Sequence, residues 1–152
     1  FADGHQCRNS DTTSMLASTV IHSTGAEWDG KFIIASTDWL STSNSILWQG
    51  VNGINNPCPL GMRLPTAGEW QNESNSWATA ADAFNSPLKL PVSGYRNGSS
   101  GAPLDVGSNG GYWSSSVLGT KTPLLSFSSS SVLIFPGTRS FGDTVRCIKD
   151  QP

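Results

Sequence analysis

Apolar residues in this chain fall in short clusters separated by runs of Gly, Ser, Thr and Asn, a pattern that predicts brief strands and turns with little helix. Residues 1–30 are polar, and only 14–22 reads as a strand or a short helix. Residues 31–35 (KFIIA) predict a strand. Residues 38–48 mix Trp39, Leu40, Ile46, Leu47 and Trp48 with small polar residues, which predicts irregular structure with its tryptophans turned inward. Gly, Asn and Pro crowd residues 50–61 so densely that a structured loop is expected. At Pro65-Thr66-Ala67-Gly68-Glu69-Trp70 the pattern changes: Thr66 can cap a first turn while Glu69 reaches back to its amide. A helix is predicted over 67–76 and a second, alanine-rich one over 77–84.

Strands follow at 88–92, 112–116, 124–127, 132–135 and 144–149, with a glycine-rich excursion over 93–111. The serine tetrad 128–131 lies between two apolar segments and reads as a hairpin turn rather than a linker. No repeat at 20–50 residues is visible, which argues against a propeller or solenoid. The expectation is one α+β domain over 1–152, with a mainly antiparallel sheet concentrated toward the C-terminus.

Composition narrows the function. The chain has 152 residues, enough for one domain with its own core, and only 13% are charged. A net charge of -2 gives no basic field to collect phosphates, so nucleic acid is not an expected partner. No apolar run has the length of a membrane span, and a first residue Phe1 suggests a chain that begins mid-protein or after processing. Cys7, Cys58 and Cys147 are too widely spaced for a zinc knuckle. They fit one bridge plus one unpaired cysteine, with the pairing open, or three reduced thiols.

Catalytic chemistry is scarce. The two histidines, His5 and His22, lie in the weakly patterned start, and no phosphate-binding glycine loop, Gly-x-Ser-x-Gly or His-Glu-x-x-His occurs. The expectation is a protein that is not an enzyme. Glu69 reads as a helix cap, and Asp3, Asp11, Glu27, Asp29 and Asp38 read as turn residues bonding their own backbone. No cofactor and no metal ligands are expected, although a surface calcium site stays open. Asn72-Glu73-Ser74 and Asn97-Gly98-Ser99 match the glycosylation acceptor pattern, as chance allows in a chain this rich in Asn and Ser.

Four ordered segments carry a resemblance: Cys58-Pro59-Leu60-Gly61-Met62-Arg63-Leu64-Pro65-Thr66 with Glu69-Trp70; Leu90-Pro91-Val92-Ser93-Gly94-Tyr95-Arg96; Gly111-Tyr112-Trp113-Ser114-Ser115-Ser116; and Val145-Arg146-Cys147-Ile148-Lys149-Asp150. Over residues 48–150 the chain resembles the Fibrobacter-type major paralogous domain, a C-type-lectin-like module of bacterial, archaeal and viral surface proteins. Residues 112–150 look like the variable region of proteins diversified by retroelements. Before Cys58 the chain departs from that family, offering WQGVNGINN where an alanine-rich helical stretch is usual.

The resemblance implies a C-type-lectin-like fold, an extracellular, cell-surface or virion location, and a Cys58–Cys147 bridge, with Cys7 outside the match. It implies that irregular stretches at 117–123 and 133–141 contact a protein ligand on a host or neighbouring cell. The residues so implied are Val117, Leu118, Gly119, Thr120, Lys121, Thr122 and Pro123, together with Leu133, Phe135, Thr138, Arg139, Ser140 and Phe141. Alternation within Leu133-Ile134-Phe135 should turn at least one of the three inward. Trp70 and Trp113, inside the motifs, read as core rather than as sugar platforms. Alternatives are a glycan-binding module, a structural cap on a surface fibre, and an oxidase of the formylglycine-generating kind. No Glu-Pro-Asn, Gln-Pro-Asp or Trp-Asn-Asp is present to support calcium-dependent sugar binding.

Overall fold

Residues 11–20 and 25–150 are described by a computed structural model of the chain. Cys7, His5, His22 and Asp3 lie outside them. The elements in chain order are β1 (Thr12–Thr13), β2 (Phe32–Ile33), β3 (Met62–Arg63), α1 (Ala67–Ser74), α2 (Ala80–Asn85), β4 (Tyr95–Arg96), β5 (Pro103–Leu104), β6 (Gly110–Trp113), β7 (Lys121–Phe127), β8 (Val132–Thr138) and β9 (Ile148–Lys149). This is a small α+β arrangement in which all sheet pairings are antiparallel except the short β1–β2 pair.

The helix start reads true. Thr66 accepts from the Glu69 amide at 3.1 Å and the Glu69 carboxylate accepts from the Thr66 amide at 2.8 Å, satisfying donors that α1 would leave open. In α2 the Asp82 carboxylate does similar work, accepting from the amides of Ala78 and Thr79, which hold its pKa below the ordinary aspartate value. Both helices end earlier or begin later than predicted, because residues 75–79 turn between them.

The frame is the three-stranded sheet β6–β7–β8. A tight turn at Ser128–Ser131, closed by the Ser128 amide donating to the Ser131 carbonyl at 2.8 Å, joins the two seven-residue strands β7 and β8. Register sorts the side chains. Leu125 opposes Tyr112 and Ile134, so all three share one face; Leu124 opposes Trp113 and Phe135, which share the other. Against the first face pack Trp70 of α1, Ala83 of α2 and Leu90, burying Tyr112, Leu125 and Phe127 with them. Tyr112 stacks on Phe127 at 5.7 Å, and the Trp70 indole donates to the Trp113 carbonyl at 3.1 Å. Trp70 and Trp113 are core residues, as expected.

Three differences from the sequence reading have physical causes. Residues 88–92 form no strand, because they wrap Leu90 under the helices rather than along a neighbouring strand. Of the predicted 144–149 strand only Ile148–Lys149 forms one, antiparallel to β3, while Thr144 makes an isolated parallel bridge to Tyr112. The stretches at 117–123 and 133–141 are not irregular throughout: Lys121, Thr122 and Pro123 open β7, and Leu133 to Thr138 belong to β8.

Candidate functional site

The second face of the sheet is the candidate site. Its inner part is covered by Leu64, Trp48, Phe141 and the bridged Cys58, which pack on Trp113 and Leu124. Toward the open edge the cover stops, leaving Leu133 and Phe135 of β8 about half exposed at 45% and 52%. Ile134 between them turns to the helix side, as alternation requires. At the far end of the hairpin, residues Leu118 and Lys121 pair across a turn that exposes Val117, Leu118, Gly119 and Thr120. Lys121 is held in place, its Nζ donating to Thr138 Oγ1 at 2.6 Å.

Several residues expected on a contact face are placed elsewhere. Thr122 and Ser140 are buried, and Pro123, Thr138 and Phe141 are partly covered. The Arg139 guanidinium is occupied: it lies 3.5 Å from the Asp38 carboxylate and donates to the Asn44 carbonyl, Ser45 Oγ and the Gly119 carbonyl. Asp38 is therefore more than a turn residue, since it also accepts from the Leu40 amide and Ser43 Oγ. Arg139 and Asp38 tie the 117–120 turn to the irregular segment around residue 44. The outward set reduces to Val117, Leu118, Gly119, Thr120, Leu133 and Phe135.

The frame behind this set is clamped. Cys58 and Cys147 form a disulfide across 89 residues, with Cα atoms 5.6 Å apart. Beside it β3 pairs with β9, and Arg63 bridges Glu69 at 2.8 Å and Asp150 at 2.6 Å. Hydrogen bonds from Arg63, then from Thr66, hold the Glu69 carboxyl down to about 2, while the same carboxylates raise the Arg63 guanidinium. A loop of that length gains about 4–5 kcal/mol from cross-linking in the chain-entropy description.

The sequence reading missed the strap of residues 139–145, which crosses the second face and brings Asp143 onto the backbone of Gly111. A β-carbon at position 111 would collide with the Asp143 carboxylate, and one at Gly110 with the Phe127 ring. Paired glycines inside an apolar strand are the signal that could have found this, because they mark a close approach to the backbone. Burial alone pushes the Asp143 carboxyl up to about 7. Asn97, in one acceptor motif, uses its carbonyl oxygen to accept from the amides of Ser99 and Ser100, as a turn residue does.

Among the described residues no three His, Cys, Asp or Glu converge on a metal position, and no helix is long and apolar enough to cross a membrane. Compared with family models, curated proteins and solved structures, the chain matches none. The class defined here is thus an α+β arrangement built on a three-stranded sheet, one face closed by helices and the other partly open, with a disulfide beside the neighbouring β3–β9 pair.

Proposed function

We propose that this chain is a recognition domain of C-type-lectin-like fold, displayed outside a cell or on a virion, which binds a protein ligand through Val117, Leu118, Leu133 and Phe135. The observation that carries this reading is the exposure of large apolar side chains on an anchored hairpin: Leu118 is 61% and Phe135 52% exposed while the strands that hold them are fixed by a buried core. Apolar and aromatic anchors on a rigid scaffold are what protein interfaces use, and order in the scaffold lowers the entropy lost on binding. The disulfide suits an oxidising, extracellular setting. Diversification of these positions by a retroelement is part of the same reading, supported by the resemblance of residues 112–150 and by the exposure of these side chains. The scarcity of histidine and nucleophile-base pairs supports binding rather than catalysis.

The test is binding of the labelled full chain to cells from the source community. Leu118→Ala, Leu133→Ala and Phe135→Ala should each weaken attachment at least fivefold with an unchanged melting temperature. Protease treatment of the cells should abolish attachment, whereas periodate oxidation of glycans should not. Loss on periodate alone would identify a glycan-binding module. Attachment untouched by all three substitutions would leave a structural cap.

A further inference from the structure

A cavity of about 500 Å³ lies against the open face of the sheet, beneath the 139–145 strap. Aromatic walls come from Trp113 of β6, Tyr95 of β4 and the irregular segment's Trp39 and Trp48. Such a volume is within the range of small-molecule sites, roughly 300–1,000 Å³.

Its polar groups are unevenly matched. Both lining cations are already engaged: Arg139 in the contacts given above, and Arg96 with its guanidinium 4.2 Å over the Phe32 ring and its Nε donating to the Gly101 carbonyl at 2.8 Å. The anion is not. No donor among the described residues reaches the Asp143 carboxyl, and Ser140 Oγ is buried with no hydrogen-bond partner. Asp143 is partly open to the cavity, so its carboxylate can meet a ligand there. One carboxylate is too few for a divalent ion, which takes six or more oxygens when it is calcium. An ammonium group meets the need of the carboxylate, donating an N–H bond to it while its charge faces the indole rings that line the same cavity.

We propose that this cavity binds an organic ammonium ligand whose alkyl or aromatic body lies among Trp39, Trp48, Trp113 and Tyr95 and whose cationic head pairs with Asp143. The site is independent of the protein-contact reading, since it uses neither Leu133 nor Phe135. Near neutral pH part of the Asp143 carboxyl is protonated, so the incoming cation displaces a proton to bulk solvent. The other charged or titratable groups around it are Tyr95, whose hydroxyl burial keeps neutral, Asp105 beside Tyr95, and the permanently charged Arg96 and Arg139. Binding should therefore weaken from pH 8 to pH 5.

Calorimetric titration of the full chain with 2-phenylethylammonium, and with the neutral 2-phenylethanol as its counterpart, tests this. The expected result is saturable binding of the ammonium at pH 8, at least tenfold tighter than the alcohol. Asp143→Asn should erase that preference. Titrations at pH 6.5 in buffers of different ionisation enthalpy should show proton release by the unsubstituted protein, a readout that does not depend on the variant folding. Equal affinity for alcohol and ammonium, a preference that survives Asp143→Asn, or no saturation by 10 mM ammonium would each overturn the proposal.

Discussion

The two faces of one sheet are built to opposite ends. On the helix side Trp70, Tyr112, Leu125 and Phe127 are essentially inaccessible, and their few polar atoms are paired, as with the Tyr112 hydroxyl donating to the Pro91 carbonyl at 2.9 Å. The opposite face, formed by alternate residues of the same strands, keeps half-exposed Leu133 and Phe135, a cavity, a buried hydroxyl without a partner and a carboxylate whose pKa burial raises. Strand alternation lets a single hairpin serve both purposes. The closed face stabilises what the open face presents.

That contrast can be broken most forcefully on the closed side. Trp70→Ala should cost about 3–5 kcal/mol in chemical denaturation, because it removes the ring that joins α1 to the sheet and leaves a cavity. Replacing both bridged cysteines with Ala should cost about 2–5 kcal/mol, native strain offsetting part of the chain-entropy gain, and loosen the 58–63 and 147–150 segments together. Hydrogen exchange of the Met62 and Asp150 amides would report that loosening.

Smaller effects separate the faces by pH. Glu69→Ala should cost about 1 kcal/mol at pH 7. Because the folded Glu69 value, about 2, lies below its ordinary one, its contribution is complete above about pH 4.5 and is lost as pH falls through 2. Asp143 runs the other way: its folded value of about 7 lies above the ordinary one, so the penalty is absent in acid and grows as pH rises through 7. Asp143→Asn should leave the melting temperature unchanged at pH 3 and raise it at pH 8. Smallest of all, Leu133→Ala and Phe135→Ala should change stability by less than about 0.5 kcal/mol. A large loss there would mean the open face is part of the core.

The closed face was largely legible in the sequence, because its signals are local. Thr66 and Glu69 announce a capping box three residues apart, Ser128–Ser131 separates two apolar runs, and Trp70 sits among residues that suit burial. The open face was less so. Residues 117–123 look irregular because Gly119, Thr120 and Pro123 interrupt them, yet Pro123 sits within β7 opposite Pro136 of β8, a pairing no local pattern announces. Arg139 reads as a free surface cation until Asp38, a hundred residues earlier, is found beside it. The cavity was invisible for the same reason: Trp39, Trp48, Tyr95, Trp113 and Asp143 meet only through the fold.

We propose that the outward residues of the open face recognise a ligand and are free to change. Sequencing the codons for residues 111–152 across many genomes of the source population, together with any neighbouring template copy, tests it most directly. The predicted result is substitution concentrated at Val117, Leu118, Gly119, Thr120, Leu133 and Phe135, traceable to template adenines, with Thr122, Ser140 and Asp143 held constant. Uniform codons throughout, or variation spread equally over the buried Leu125 and Phe127, would contradict it.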